Sequence, residues 1–306
     1  MPDTSSPPTI AAFGPRLRSA MDAHGPLCAG IDPHRGLLEA WGLPFTAAGL
    51  ERFAMTCVEA FAGRVACVKP QSAFFEVFGS AGVAVLERVL AALRDAGTVT
   101  ILDVKRGDMR STMEAYAGAY LGADSALRAD AVTLSPFLGY ESLRPALDLA
   151  ARTGRGVFVL ALTSNPEGPQ VQHALLEGRS VAASVVEGAA RDNAPARERG
   201  ELGSVGLVVG ATVGDAPQRL GLDLVAANAP ILAPGVGAQG GTPADLRRTI
   251  GAALANVLAS SSRELLCAGP AVGALVGAAT EAADRLREQL RPERRSVGAR
   301  CTGPTA

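Results

Sequence analysis

Eight short apolar runs, spread along the chain and almost free of polar interruption, constrain its fold more than any other feature. They are LCAGID (27–32), VACVK (65–69), VTILDVK (99–105), AVTLSPF (131–137), GVFVLALT (156–163), VGLVVGAT (205–212), PILAPGV (230–236) and NVLASSS (256–262). Continuous rather than alternating hydrophobicity is the mark of a parallel strand covered on both faces. The intervals carry helical periodicity. In GVAVLERVLAALRDAG the residues Val83, Leu86, Val89, Leu90 and Leu93 fall on one face, and Gly97 follows as a stop. PAVGALVGAATEAADRLREQL (270–290) reads as a closing helix. Eight strand–helix units predict an α/β fold, a (β/α)8 TIM barrel, with an open doubly wound sheet as the competitor.

Polar residues favour the barrel, because they gather where the apolar runs end. Asp32, Lys69 with Gln71, Asp103 with Lys105, Ser135, Ser164, Gly235 and Ser262 with Arg263 all follow their runs. In barrels that rim carries the active site. The longest interruption, roughly 165 to 203, reads as an elaborated loop containing a helix. Residues 1–12 are expected to be a flexible N-terminus, 13–290 a single barrel domain, and 291–306 a disordered tail.

Composition excludes several classes. The net charge is −1, so no global field recruits nucleic acid or an anionic membrane. One Trp and three Tyr are too few for a base-stacking platform. No apolar stretch has membrane-spanning length, and MPDTSSPPTI has neither the basic start nor the apolar block expected of a signal peptide. The five cysteines show no CxxC, so a reducing, cytoplasmic setting is expected. His24, His34 and His173 show no ligand spacing.

The chemistry concentrates in TVTILDVKRGDMRST (98–112), where an apolar strand fills with charge at Asp103, Lys105 and Asp108. The chain holds 29 Lys plus Arg, yet only Lys69 and Lys105 are lysines. Arginine is the better partner for a static carboxylate pair, whereas lysine can surrender its proton. A chain that otherwise prefers arginine but sets Lys105 between two carboxylates fits a site needing a proton donor; a salt-bridge cluster closing the barrel mouth is the alternative. Strand alternation turns Asp103 and Lys105 the same way. Lys69 is expected to pair with Asp32 or Asp103. At the other end, APGVGAQGGTPADL (233–246) follows the seventh run and Arg263 the eighth. Glycines let backbone N–H groups approach an anion, and Thr242-Pro243 is a helix start, so a phosphate site is expected there.

Together these segments resemble orotidine 5′-phosphate decarboxylase, in its longer-chained (type 2) branch. DVKRGDMRST is similar to that family's D-x-K-x-x-D-x-x-x-T signature, and AGIDP, VKPQSAFFE, LTSNPEG, PGVGAQGG and SSSR follow in the family's order. The resemblance implies decarboxylation of orotidine 5′-phosphate to UMP, the last step of de novo UMP synthesis, without metal or other cofactor. It implies that Lys105 protonates the ring carbon, that Asp103 lies against the substrate carboxylate, and that Asp32 and Lys69 contact the ribose and the charged array. Asp108 and Thr112 would reach into the partner subunit's site of a homodimer. Ser164 would contact the pyrimidine, with Gly237, Gln239, Gly240 and Arg263 at the phosphate end. The rivals are a Mg2+-dependent sugar-phosphate decarboxylase or synthase of the same superfamily, which needs an extra carboxylate near the site, and a non-catalytic nucleotide-binding barrel. After the second run the first acid is Glu76.

Overall fold

A computed structural model describes residues 11–235 and 241–290. Eight parallel strands form the barrel: β1 (Leu27–Ile31), β2 (Cys67–Pro70), β3 (Ile101–Arg106), β4 (Ala131–Leu134), β5 (Gly156–Leu162), β6 (Val205–Val209), β7 (Ile231–Pro234) and β8 (Val257–Ser261). Neighbours follow chain order, and β1 pairs with β8 through Leu27–Ala259, Cys28–Ser260 and Ala29–Ser261. The remaining seam, β2 to β3, is joined by the bridges Val68–Thr100 and Gln71–Asp103. The expected barrel is therefore the observed fold, and each apolar run marks its strand, with Pro70 and Arg106 carrying β2 and β3 one residue past their runs.

Helices cover the outside. Gly79–Asp95 buries Val85, Leu86, Val89, Leu90 and Leu93. Val85 thus stands in the apolar stripe where Val83 was expected, and Val83 is only half-buried. Helix Ala47–Phe61 packs between this helix and the C-terminal helix Val272–Gln289, which also lies on β1 and so ties the chain's end to its beginning. The Trp41 indole N–H donates to the Leu266 carbonyl at 2.9 Å across the same junction. Between β5 and β6 the long interruption contains a small hairpin, Leu175–Leu176 with Arg179–Ser180, and the helix Val181–Asp192, capped by the Ser180 hydroxyl.

Inside the barrel the filling changes with height. The foot is apolar: Cys28, Cys67, Ile101, Ala131, Phe158 and Leu258 pack together and are sealed by helix Phe13–His24, which inserts Phe13, Leu17 and Met21. Phe13 meets Phe158 edge-on, centroids 5.9 Å apart. A Cβ on Gly156 would collide with the Phe13 ring, so the glycine is what admits this plug. At the strands' C-terminal ends the interior turns polar, with Lys69, Asp103, Thr133 and Ser260 buried there. Cys28, Cys57 and Cys67 are buried free thiols. Among the described residues, no helix is long and apolar enough to cross a membrane.

Candidate active site

Polar strand ends surround a cavity of about 290 Å³. Its centre is Asp103, whose carboxylate is fully satisfied although the side chain is only 8% exposed. Lys69 Nζ donates to Oδ2 at 2.9 Å and Gln71 Nε2 to the same oxygen at 3.2 Å. Lys105 Nζ donates to Oδ1 at 2.6 Å, and the Thr133 hydroxyl to the same atom at 2.8 Å. Burial alone would raise the Asp103 pKa; the Lys69 and Lys105 ammoniums instead hold it well below the usual carboxylate range. Burial likewise opposes the Lys69 charge, yet Asp103 and then Asp32 keep its pKa above the ordinary lysine value.

The two lysines are not equivalent. Lys69 is 7% exposed and Lys105 46% exposed, so only Lys105 stands open to a ligand while Lys69 fixes the carboxylate from behind. Simple alternation does not bring Lys105 to this place. The β3–β4 register slips between Leu102 and Arg106, and Lys105 has φ 45°, a left-handed conformation that L-residues rarely adopt. The Thr133 hydroxyl stabilises this bulge by accepting the N–H groups of Val104 (3.0 Å) and Lys105 (2.9 Å).

Asp32 and Arg263 line the same cavity. Arg263 follows β8, three strands round the barrel from β3, and makes no ion pair among the described residues. Asp32 Oδ1, His34 Nε2 and Ser261 Oγ are buried on the cavity wall without a hydrogen-bond partner among the described residues. Buried polar atoms are normally satisfied, so these three point to hydroxyl or oxyanion groups of a ligand.

Other expected residues lie elsewhere. Ser164 is exposed at the rim, and its neighbour Thr163 lines the cavity instead, clamped by Gln172 through 2.9 and 2.6 Å bonds. Asp108 and Thr112 do not line the cavity. Asp108 Oδ1 accepts the Met109 N–H at 2.8 Å just ahead of helix Arg110–Leu121, and Thr112 is exposed in that helix's first turn. Gly237, Gln239 and Gly240 lie outside the described residues. Thr242 does start a helix, Pro243–Ile250, but in a capping box with Asp245, so the protein's own carboxylate occupies part of that N-terminus. Glu76 is absent from the cavity wall: it accepts from the Ser72 hydroxyl at 2.6 Å and from Arg106 at 2.8 Å. Among the described residues no group of three or more His, Cys, Asp or Glu side chains could hold a metal ion.

Gln71, Thr133 and His34 are cavity residues that sequence reasoning did not assign. Gln71 carried a signal, its place two residues after Lys69 in the polar rim. Thr133 had none, since its role depends on the register of β4 against β3.

Comparison with known proteins agrees with this geometry. Residues 25–275 match the family model described as Orotidine 5′-phosphate decarboxylase / HUMPS family. A Streptomyces coelicolor protein named orotidine 5′-phosphate decarboxylase is 58% identical over 265 residues, 86% of this chain and 92% of its own. A Salinispora tropica protein of the same name is 58% identical over 267 residues, 87% and 94%. A Streptomyces avermitilis crystal structure assigned as an orotidine 5′-phosphate decarboxylase superposes with TM-score 0.87 at 53% identity, covering 95% of this chain and 99% of that one. The Leishmania donovani OMP decarboxylase structure gives TM-score 0.69 at 31% identity, covering 91% and 98%. A closed barrel whose third strand presents Asp103 and Lys105, together with a family match across most of its length, shows that this chain belongs to the orotidine 5′-phosphate decarboxylase / HUMPS family.

Proposed function

We propose that the chain is an orotidine 5′-phosphate decarboxylase, which converts orotidine 5′-phosphate to UMP and CO2. The observation that carries this reading is the ammonium of Lys105, half-exposed in the cavity and held 2.6 Å from Asp103 Oδ1 while Lys69 holds the other oxygen. Breaking the bond between ring carbon and carboxylate leaves the electron pair on a carbon with little resonance relief. The adjacent ammonium stabilises that developing charge and then delivers its proton to form the new C–H bond, regaining one from solvent. Chemistry written this way needs no metal or organic cofactor.

Asp103 plays the secondary part. Set against a substrate carboxylate at ~4 Å and an effective dielectric near 20, it contributes roughly 4 kcal/mol of repulsion. That corresponds to about a thousandfold in rate, far less than so unactivated a reaction requires. The larger share comes from preorganised Lys105 and from binding energy at the phosphate end, a role assigned to Arg263 and, by the family resemblance alone, to Gly237, Gln239 and Gly240. Asp32, with its unpartnered Oδ1, takes a ribose hydroxyl, and the Thr163–Ser164 rim contacts the pyrimidine.

The working unit is a homodimer of single-domain barrels spanning 13–290, with Asp108 and Thr112 given to the partner's site. Their position outside their own cavity supports this, as do the exposed Met109, Phe137 and Leu138 beside them. The loops meet where the Ser135 N–H donates to the Arg106 carbonyl at 2.8 Å. Buried reduced thiols fit a cytoplasmic enzyme.

The test is absorbance loss of orotidine 5′-phosphate in buffer containing a chelator. Activity is expected to persist, and Lys105→Ala to reduce turnover by at least about a thousandfold while UMP binding changes little. Activity abolished by the chelator would favour the Mg2+-dependent rival. Turnover surviving in Lys105→Ala would refute the mechanism.

A further inference from the structure

At the opposite end of the barrel, the starts of β3, β4 and β5 are ringed by guanidiniums. Asp130, immediately before β4, accepts from Arg16 Nη1 at 2.6 Å and from the Thr100 N–H at 3.0 Å. Arg16 also donates to the Gly154 carbonyl at 3.0 Å. Among the described residues Arg155, immediately before β5, has only the Leu121 carbonyl, at 3.0 Å, and Arg128 only the Ser125 carbonyl, at 2.8 Å. Arg94, at the end of helix Gly79–Asp95, buries Nη1 with no partner among the described residues, and Nε of Arg16 is buried likewise.

Of these four guanidiniums only Arg16 is paired with a carboxylate among the described residues, that of Asp130. Burial first, and then Arg128, Arg16 and Arg94, push the Arg155 pKa below the usual arginine value, with Asp130 opposing them. Arginine cannot relieve such crowding by losing its proton, and it is the side chain best shaped to hold an oxyanion. Space for one is at hand. A cavity of about 280 Å³ adjoins the cluster at Arg155, which lines it with Gly154, whereas Arg16, Arg94 and Arg128 do not. The arginines on its far wall, Arg144 and Arg199, are already paired with Asp192 and Glu201, both at 2.9 Å.

We propose that the foot of the barrel is a second anion site, separate from the catalytic cavity, in which Arg155, Arg94 and Arg128 take the phosphate group of a small molecule whose remainder occupies the adjoining cavity. The site supplies the missing counter-charge and the missing acceptors together. An inorganic phosphate would use the arginines alone, whereas a nucleotide would also use the cavity.

The experiment is titration calorimetry and thermal melting at fixed ionic strength, on full-length Arg263→Ala protein so that the catalytic phosphate end is silent. Orthophosphate and AMP are the two probes, and chloride is the reference. Either probe should bind saturably and raise the melting midpoint, and affinity should drop at least tenfold when Arg155→Gln or Arg94→Gln is added. Tighter binding of AMP than of orthophosphate identifies a nucleotide-type ligand; equal binding identifies the inorganic anion. In chloride alone these two variants should melt at or above their parent, because each removes a repelling charge, which also verifies that they fold. Turnover of orotidine 5′-phosphate in Arg155→Gln on the otherwise unaltered chain should not change. Phosphate indistinguishable from chloride, or binding unaltered by both variants, would overturn the proposal.

Discussion

Thr133 decides whether Lys105 can meet Asp103. Its hydroxyl donates once, to Asp103 Oδ1 at 2.8 Å, and accepts twice, from the N–H groups of Val104 and Lys105. Thr133→Val keeps the shape and deletes all three bonds, leaving buried backbone donors unpaired at a cost of about 1–3 kcal/mol. Turnover should fall more than substrate affinity, which steady-state kinetics would resolve into kcat and KM. The ion pair behind it sets a pH dependence. The Asp103 pKa is depressed, so its stabilisation is present above the ordinary carboxylate value of 3.8 and is lost as pH falls below it. The Lys69 pKa is raised, so its stabilisation is present below the ordinary 10.5 and is lost as pH rises past it. The melting midpoint should be flat from about pH 5 to about pH 9 as far as this pair decides it, and Asp103→Asn should flatten the fall in acid. At neutral pH the same variant strands Lys69 in the interior and should cost about 3–5 kcal/mol by chemical denaturation. The acid–lysine–acid pattern and the scarcity of lysine were legible in the sequence because they lie within one segment. Thr133 and the place of Thr163 on the cavity wall were not: each depends on which side chain of a neighbouring strand or loop faces inward, and spacing along one segment carries no record of that.

One scale up, β3 shows how an element can obey its pattern and still depart from it. Its apolar residues mark it as a buried strand, and alternation puts Asp103 and Lys105 on one face. The structure reaches that outcome through a bulge in which Leu102 pairs with Val132 and Arg106 with Leu134, four residues of β3 spanning two of β4. Nothing in DVKR announces a left-handed residue at 105, because the requirement comes from the partner strand. Helix Phe13–His24 is the opposite case. Phe13, Leu17 and Met21 recur at the helical period, yet this helix precedes the first apolar run and so lies outside the eight strand–helix units. Its function is to close the barrel foot, far from the chemistry. Phe13→Ala should therefore cost about 3–5 kcal/mol of stability through lost burial and the cavity left against Phe158, with kcat unaltered at temperatures where the variant stays folded. A matching loss of kcat would show that the foot communicates with the rim.

For the whole molecule, the question is where one active site ends and the next begins. The barrel supplies Lys105, Asp103, Lys69 and Arg263 or their neighbours to its own cavity, while Asp108 and Thr112 stand outside it. Exposed apolar side chains beside them, Phe137 at 75% and Met109 at 57%, are the kind of surface a second copy covers. If Asp108 serves the partner, a subunit lacking Lys105 still offers a sound Asp108, and a subunit lacking Asp108 still offers a sound Lys105. Lys105→Ala and Asp108→Ala proteins, each inactive alone, should regain activity when mixed and allowed to exchange subunits. Random pairing makes half of the dimers hybrid, and each hybrid holds one intact site and one doubly defective site, so about a quarter of wild-type activity should return. The recovery should grow at the rate of subunit exchange and vanish when the subunits are cross-linked before mixing. No recovery in a mixture shown to contain hybrids would place Asp108 in its own subunit's chemistry, and the rim of one barrel would then be a complete site.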